Sequence, residues 1–203
     1  MKLMRMMVVL MAFISQYALA DAASTLRAKL HPIQQFSANF EQTVISPQGK
    51  VIHRASGKLV IAKPGKLNWQ ERHPEQDQII SNGKTIWYYS PIVEQVSIYN
   101  TTDAIAHTPF ILLADQRKEV WQNYRVNTVK TGFKVESKTD SQQPSFIISF
   151  DKQGAIREFD VVDHQGQRSE FKLSHFNLHP RVRSGDFMFK VPDGVAIDDQ
   201  RHD

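Results

Sequence analysis

The 203-residue chain contains no cysteine. Disulfides, thiolate metal sites, cysteine nucleophiles and lipid attachment to an N-terminal cysteine are therefore all excluded. No apolar run approaches the roughly 20 residues that a membrane-spanning helix needs. Catalytic signatures are missing as well: there is no His-Glu-x-x-His and no Gly-x-Ser-x-Gly. Gly83-Lys84-Thr85 resembles the end of a phosphate loop, but the glycine required five positions earlier is Gln78. His175 and His179 fall in a strand-like run ending near Pro180, which disfavours a joint metal site. Asp198-Asp199 sits in a polar tail and reads as a solvated end. The chain is read as a non-enzyme with no cofactor and no metal. No linker, repeat or low-complexity tract divides it.

What is present is an ordinary globular composition, 41% hydrophobic, 23% charged and 10% aromatic. The first 20 residues differ from the rest. Lys2 and Arg5 precede the apolar run Met6 to Ile14, and Ala18-Leu19-Ala20 supplies small residues at a cleavage site. This is the three-part pattern of a secretory signal, and the expected mature domain is residues 21–203. Loss of Lys2 and Arg5 lowers the formal charge from +4 to +2. With no Lys/Arg stripe, nucleic acid is not an expected partner. An exported chain without cysteine points to the periplasm of a Gram-negative bacterium.

From Asp21 to Ile33 the spacing of Leu26 and Leu30 predicts a short amphipathic helix, limited by Pro32. The period then changes to two. Phe36, Ala38, Phe40, Gln42 and Val44 share one face, as do Val51, Ala55, Gly57, Leu59 and Ile61 in the next run. Asn82-Gly83 between two alternating runs is a strong hairpin signal. The pattern breaks between Thr101 and Val120, where Pro109 to Ala114 predicts a second short helix, and then resumes to Leu178. Ten to twelve short strands with two short helices predict a mainly β fold, an incomplete and strongly curved antiparallel barrel. The helices can lid an apolar cavity. Counting by twos from Leu59 and Ile61 reaches Lys63, a cation at the end of the apolar face. Two readings stay open for it: a lysine snorkelling to solvent, or a rim donor that latches the lid by bonding helix carbonyls.

The sequence resembles the outer-membrane lipoprotein carrier family along essentially the whole mature chain. The resemblance rests on Phe36, Phe40 and Gln42, on Lys63-Pro64 with Leu67-Asn68-Trp69, and on Ser81 to Tyr89 with Pro91 and Val93-Glu94-Gln95. Thr108-Pro109-Phe110 and the ending Asp193-Gly194-Val195 to Asp198-Asp199-Gln200 also match. It implies a lidded half-barrel that takes triacylated lipoproteins from an inner-membrane ABC transporter. The cargo then passes across the periplasm to an outer-membrane receptor that is itself a lipoprotein. The implied latch is Lys63, where better-studied relatives carry arginine. Phe36, Phe40, Leu59, Ile61, Leu67, Trp69 and Tyr88 are the expected acyl contacts. Leu26, Leu30, Phe110, Ile111 and Leu113 are the expected lid residues. The protein is expected to be a monomer without stable membrane insertion. A periplasmic sensor of acyl chains on the same fold is the alternative. The missing cysteine argues against the anchored receptor.

Overall fold

The computed structural model describes residues 21–101, 111–115 and 117–201. The expected signal segment and Phe110 lie outside the described residues, as does the side chain of Ile111. The first arm of the fold is α1 (Ala22–Leu30), β1 (Gln35–Ile45), β2 (Val51–Ala62), β3 (Lys66–His73), β4 (Gln78–Asn82), β5 (Thr85–Ser90) and β6 (Gln95–Asn100). Two one-turn helices follow, α2 (Ile111–Ala114) and α3 (Lys118–Trp121). The second arm comprises β7 (Tyr124–Val129), β8 (Gly132–Ser137), β9 (Ser145–Phe150), β10 (Ile156–Val162) and β11 (Arg168–Asn177). The short strand β12 (Ala196–Asp199) ends the chain.

The twelve strands of the described residues form one open, curled sheet in the order β12-β6-β5-β4-β3-β2-β1-β11-β10-β9-β8-β7. The expected curved sheet is therefore observed. Each arm is a meander of antiparallel neighbours, and β1 pairs with β11 to join the two. Only β12 runs parallel to its neighbour, β6.

Period-two alternation explains why one face is apolar. Residues directly opposed across a ladder project to the same side. Phe36 opposes Ile61, Ile61 opposes Leu67, Leu67 opposes Ser81, and Ser81 opposes Ile86. On the second arm Phe171 opposes Phe159, which opposes Ile148, which opposes Phe133. These rows meet inside the curl. Phe40 stacks on Trp69 with ring centroids 3.7 Å apart, and Phe159 stacks on Phe171 at 4.6 Å. An edge contact between Trp69 and Phe171 at 5.2 Å ties the arms together.

The outer face of β3–β5 is partly covered by the segment after β11. Asn68 donates to the Asp186 carbonyl at 2.5 Å, Phe187 is buried, and Tyr89 meets Phe189 at 5.3 Å. That crossing carries the chain to β12, where a solvated tail was expected. The helical content also differs from expectation, because α3 forms where the sequence showed only a break in strand pattern. Trp121 explains it: the side chain is buried, and its indole N–H donates to the Asp115 carbonyl at 2.7 Å. No helix of the described residues is long and apolar enough to cross a membrane.

Candidate functional site: a lidded apolar interior

The last carbonyls of a helix have no partner inside it and must find donors elsewhere. Here the turn between β2 and β3 provides them for two helices at once. Lys63 Nζ donates to the Leu30 carbonyl at the end of α1, at 2.5 Å. Two residues on, the Gly65 backbone N–H donates to the Ala114 carbonyl at the end of α2, at 2.9 Å. The turn is braced from behind, since Ser81 Oγ donates to the Gly65 carbonyl at 2.7 Å and accepts from the Gly83 N–H at 3.1 Å. Gly65 has φ +67, and a Cβ there would lie 2.9 Å from Gly83 Cα. This close crossing of two turns is open only to glycine.

Beneath α1 and α2 the interior is filled by side chains. Phe36, Phe40, Leu59, Ile61, Leu67 and Trp69 share one buried cluster. Leu26, Leu30 and Leu113 from the helices join it. Tyr88 does not join them. It projects from the same face, opposite Ile79, but stands at the rim with 40% of its surface exposed. Its hydroxyl donates to Asp77 at 2.8 Å, and burial together with that carboxylate pushes the phenol pKa up. A polar bond holds the ring at the edge of the interior instead of within it.

Sequence reasoning missed several contributors. Leu112 and Ala114 are buried beside Leu113. Phe146, Phe159 and Phe171 fill the second arm of the same cluster and lay in runs read only as strands. Their alternation was visible; their convergence with Phe40 and Trp69 needed the β1–β11 pairing. The Gly65 and Ser81 roles use backbone atoms and a small hydroxyl, which leave no sequence pattern. Asp115, only 2% exposed, forms an ion pair with Arg117 and carries the chain from α2 to α3. A groove of about 360 Å³ runs between α1 and α2–α3, lined by Arg27, Ala28, His31, Leu113, Asp115 and Trp121 among others. Among the described residues no group of three or more acidic or histidine side chains could hold a metal ion.

Lys63 is half-buried, and desolvation draws its ammonium pKa down from 10.5 to about 8. Were α1 to lift from the turn, the amine would return to water and to its ordinary value. Between about pH 8 and 10.5 the opened form therefore binds more protons than the closed one. Raising the pH through that window favours closure, and that advantage is lost as the pH falls through about 8. A spin label or fluorophore on α1 should report a falling open fraction from pH 8 to 10 in the wild type. Lys63→Arg should show no such change, because a guanidinium stays charged throughout. A pH-independent open fraction in both proteins would rule out lysine titration at the latch.

A curled sheet with one apolar face, covered by helices whose last carbonyls are held by a single turn, defines an open half-barrel capped by short helices. The chain belongs to the family of outer membrane lipoprotein carrier proteins, LolA, whose sequence profile matches residues 31–190. It is 43% identical over 183 residues to the outer-membrane lipoprotein carrier protein of Aeromonas salmonicida (strain A449), covering 90% of this chain and 91% of that one. It is 42% identical over 196 residues to the protein of the same name from Psychromonas ingrahamii, covering 96% of each. Among solved structures it is similar to an uncharacterized conserved protein from Thermus thermophilus, with TM-score 0.52 and 10% identity. That match covers 89% of this chain and all of the other, and it speaks for the fold alone.

Proposed function

We propose that residues 21–203 form a periplasmic, monomeric and non-catalytic carrier of acylated outer-membrane lipoproteins. In this reading an inner-membrane ABC transporter loads it, and an outer-membrane lipoprotein receptor unloads it. The observation that carries the proposal is the continuous aromatic and aliphatic interior closed by helices that one turn grips. Burying a sixteen-carbon acyl chain at about 0.8 kcal/mol per CH₂ is worth roughly 12 kcal/mol. Three such chains cannot cross water uncovered. The proposed acyl contacts are Phe36, Phe40, Leu59, Ile61, Leu67 and Trp69, with Lys63 as latch and Leu26, Leu30 and Leu113 on the lid. These walls offer no directional bonds to a ligand's hydrocarbon, which suits tolerant binding and release.

Energetics fit a container that opens without fuel of its own. A neutral hydrogen bond such as that from Gly65 contributes about 0.5–1.5 kcal/mol, and a charged donor such as Lys63 about 1.5–3. Desolvation of the ammonium, which draws its pKa down, opposes the latter. Closure of the empty form keeps water off the aromatic walls. The test is to incubate the mature protein with spheroplasts carrying labelled lipoprotein. Soluble carrier–lipoprotein complexes are expected in the supernatant. Their absence, beside a working control carrier, would refute the proposal.

A further inference from the structure

Ser81 is the one polar residue in the inward row Phe36, Ile61, Leu67, Ser81 and Ile86, and it is fully buried. A hydroxyl in an apolar interior costs free energy unless it is bonded. Here both of its capacities are engaged by backbone. It donates to the Gly65 carbonyl at 2.7 Å and accepts from the Gly83 N–H at 3.1 Å. The single proton of a serine is therefore committed to the turn and is not offered to cargo.

These two bonds pin the β2–β3 turn to the β4–β5 turn, where the backbones touch. A Cβ on Gly83 would stand 3.0 Å from the Pro64 carbonyl oxygen. The β4–β5 turn is a firm support, since Asn82 Oδ1 accepts from the N–H groups of Lys84 and Thr85. It also reaches the start of the lid segment: the Lys84 carbonyl accepts from the Thr101 N–H at 3.0 Å, where the chain leaves β6 for α2.

The two lid helices rest on different parts of the sheet. α1 packs chiefly on β7 in the second arm, and α2 on β2 and β3 in the first. Both are nonetheless gripped by the β2–β3 turn, α1 through Lys63 Nζ and α2 through the Gly65 N–H. We propose that Ser81 is the positioning residue of the lid: by fixing this turn its hydroxyl sets the grip on α1 and the grip on α2 together. Displacing the turn frees both helices at once, whereas losing the Lys63 side chain frees α1 alone. The proposal rests on the carrier reading above, in which the lid lifts to load.

The chain has no cysteine, so Ala28→Cys on α1 or Lys118→Cys on α3, just beyond α2, can each carry one fluorophore. Quenching from solution then reports opening at either helix. Ser81→Ala removes one oxygen and adds no bulk. It is expected to raise the ratio of open to closed form about tenfold at both labels, as loss of a buried hydrogen bond does. Lys63→Met is expected to raise it at the α1 label only. In the double variant Lys63→Met/Ser81→Ala, the α1 label should read no more open than in Lys63→Met, because Ser81 acts on α1 through Lys63. The effect at the α3 label should persist in full. A merely structural loss would instead add independently to Lys63→Met at both labels. Gly83→Ala reaches the same crossing without touching the hydroxyl, by pressing on the Pro64 carbonyl, and should open both labels too. Opening at one label or neither in Ser81→Ala, independent addition at the α1 label, or a closed lid in Gly83→Ala would overturn the inference. Lipoprotein release from spheroplasts is scored separately. No release by the wild type would overturn the carrier reading, while the labels still decide the role of Ser81.

Discussion

Gly57→Ala is expected to destabilise the fold by about 3 kcal/mol or more, a drop in Tm of roughly 6–12 °C for a domain of this size. Gly57 lies on β2 opposite Phe40, at a point where the pairing with β3 shifts register. A Cβ there would come within 2.1 Å of the Gln70 carbonyl oxygen and 2.6 Å of Phe40 Cζ. The first obstacle is backbone, so the strand itself must move. The second is the ring that stacks on Trp69, at the point where the two arms meet. Gly185→Ala is the matched control, with nothing within 4 Å of its Cβ, and should stay near wild type. Chemical denaturation of both variants measures the contrast. A Gly57→Ala variant as stable as the control would contradict the packing described for this corner of the core.

Leu67→Glu should disable the interior without requiring global unfolding. Leu67 is 1% exposed, opposes Ile61 and Ser81, and sits on the strand that α2 packs against. A carboxylate cannot remain ionised there without a cost of several kcal/mol. The cheapest relief is to lift the helices and admit water. The empty variant is therefore expected to rest open at pH 7.5, to bind more apolar dye, and to release lipoprotein from spheroplasts at least tenfold less than wild type. Acidification should restore closure, because burial raises a carboxyl pKa and the neutral acid tolerates the site. Leu67→Phe, apolar at the same position, should keep both closure and release. If Leu67→Glu stays shut at pH 7.5 and releases cargo normally, Leu67 does not face the acyl path.

Much of the sheet could be read from the sequence because it obeys a local rule. Alternation exposed the inward residues of β1, β2 and β3, and Asn82-Gly83 marked a turn that the structure closes. There Asn82 Oδ1 accepts from the Lys84 and Thr85 N–H groups, both at 2.9 Å, and Gly83 has φ +95. β12 escaped because it is flanked on one side only, so Ala196 and Ile197 are both exposed and no alternation develops. α3 escaped because one turn has no period to detect. Lys63 was visible as a cation out of place on an apolar face, while its companion Gly65 acts through a backbone N–H that every residue but proline owns. Tyr88 was assigned by face alone. Distance along the strand from the lid, which the alternation does not encode, leaves it at the rim.

The pairing of β1 with β11 also governs how the chain reaches its native state. Within each arm, successive strands are joined by short connections, so the two meanders can assemble from local contacts. The seam between them cannot. Phe40 pairs with Leu173 and Val44 with Ser169, contacts that span more than half the chain. Contacts of such sequence separation slow folding, because the loop entropy is lost before the pairing compensates for it. Most of β11 must be available before β1 can acquire its second neighbour. Until then both meanders present aromatic faces to water. The folding chain thus passes through an interval in which both halves of its future interior stand open to solvent.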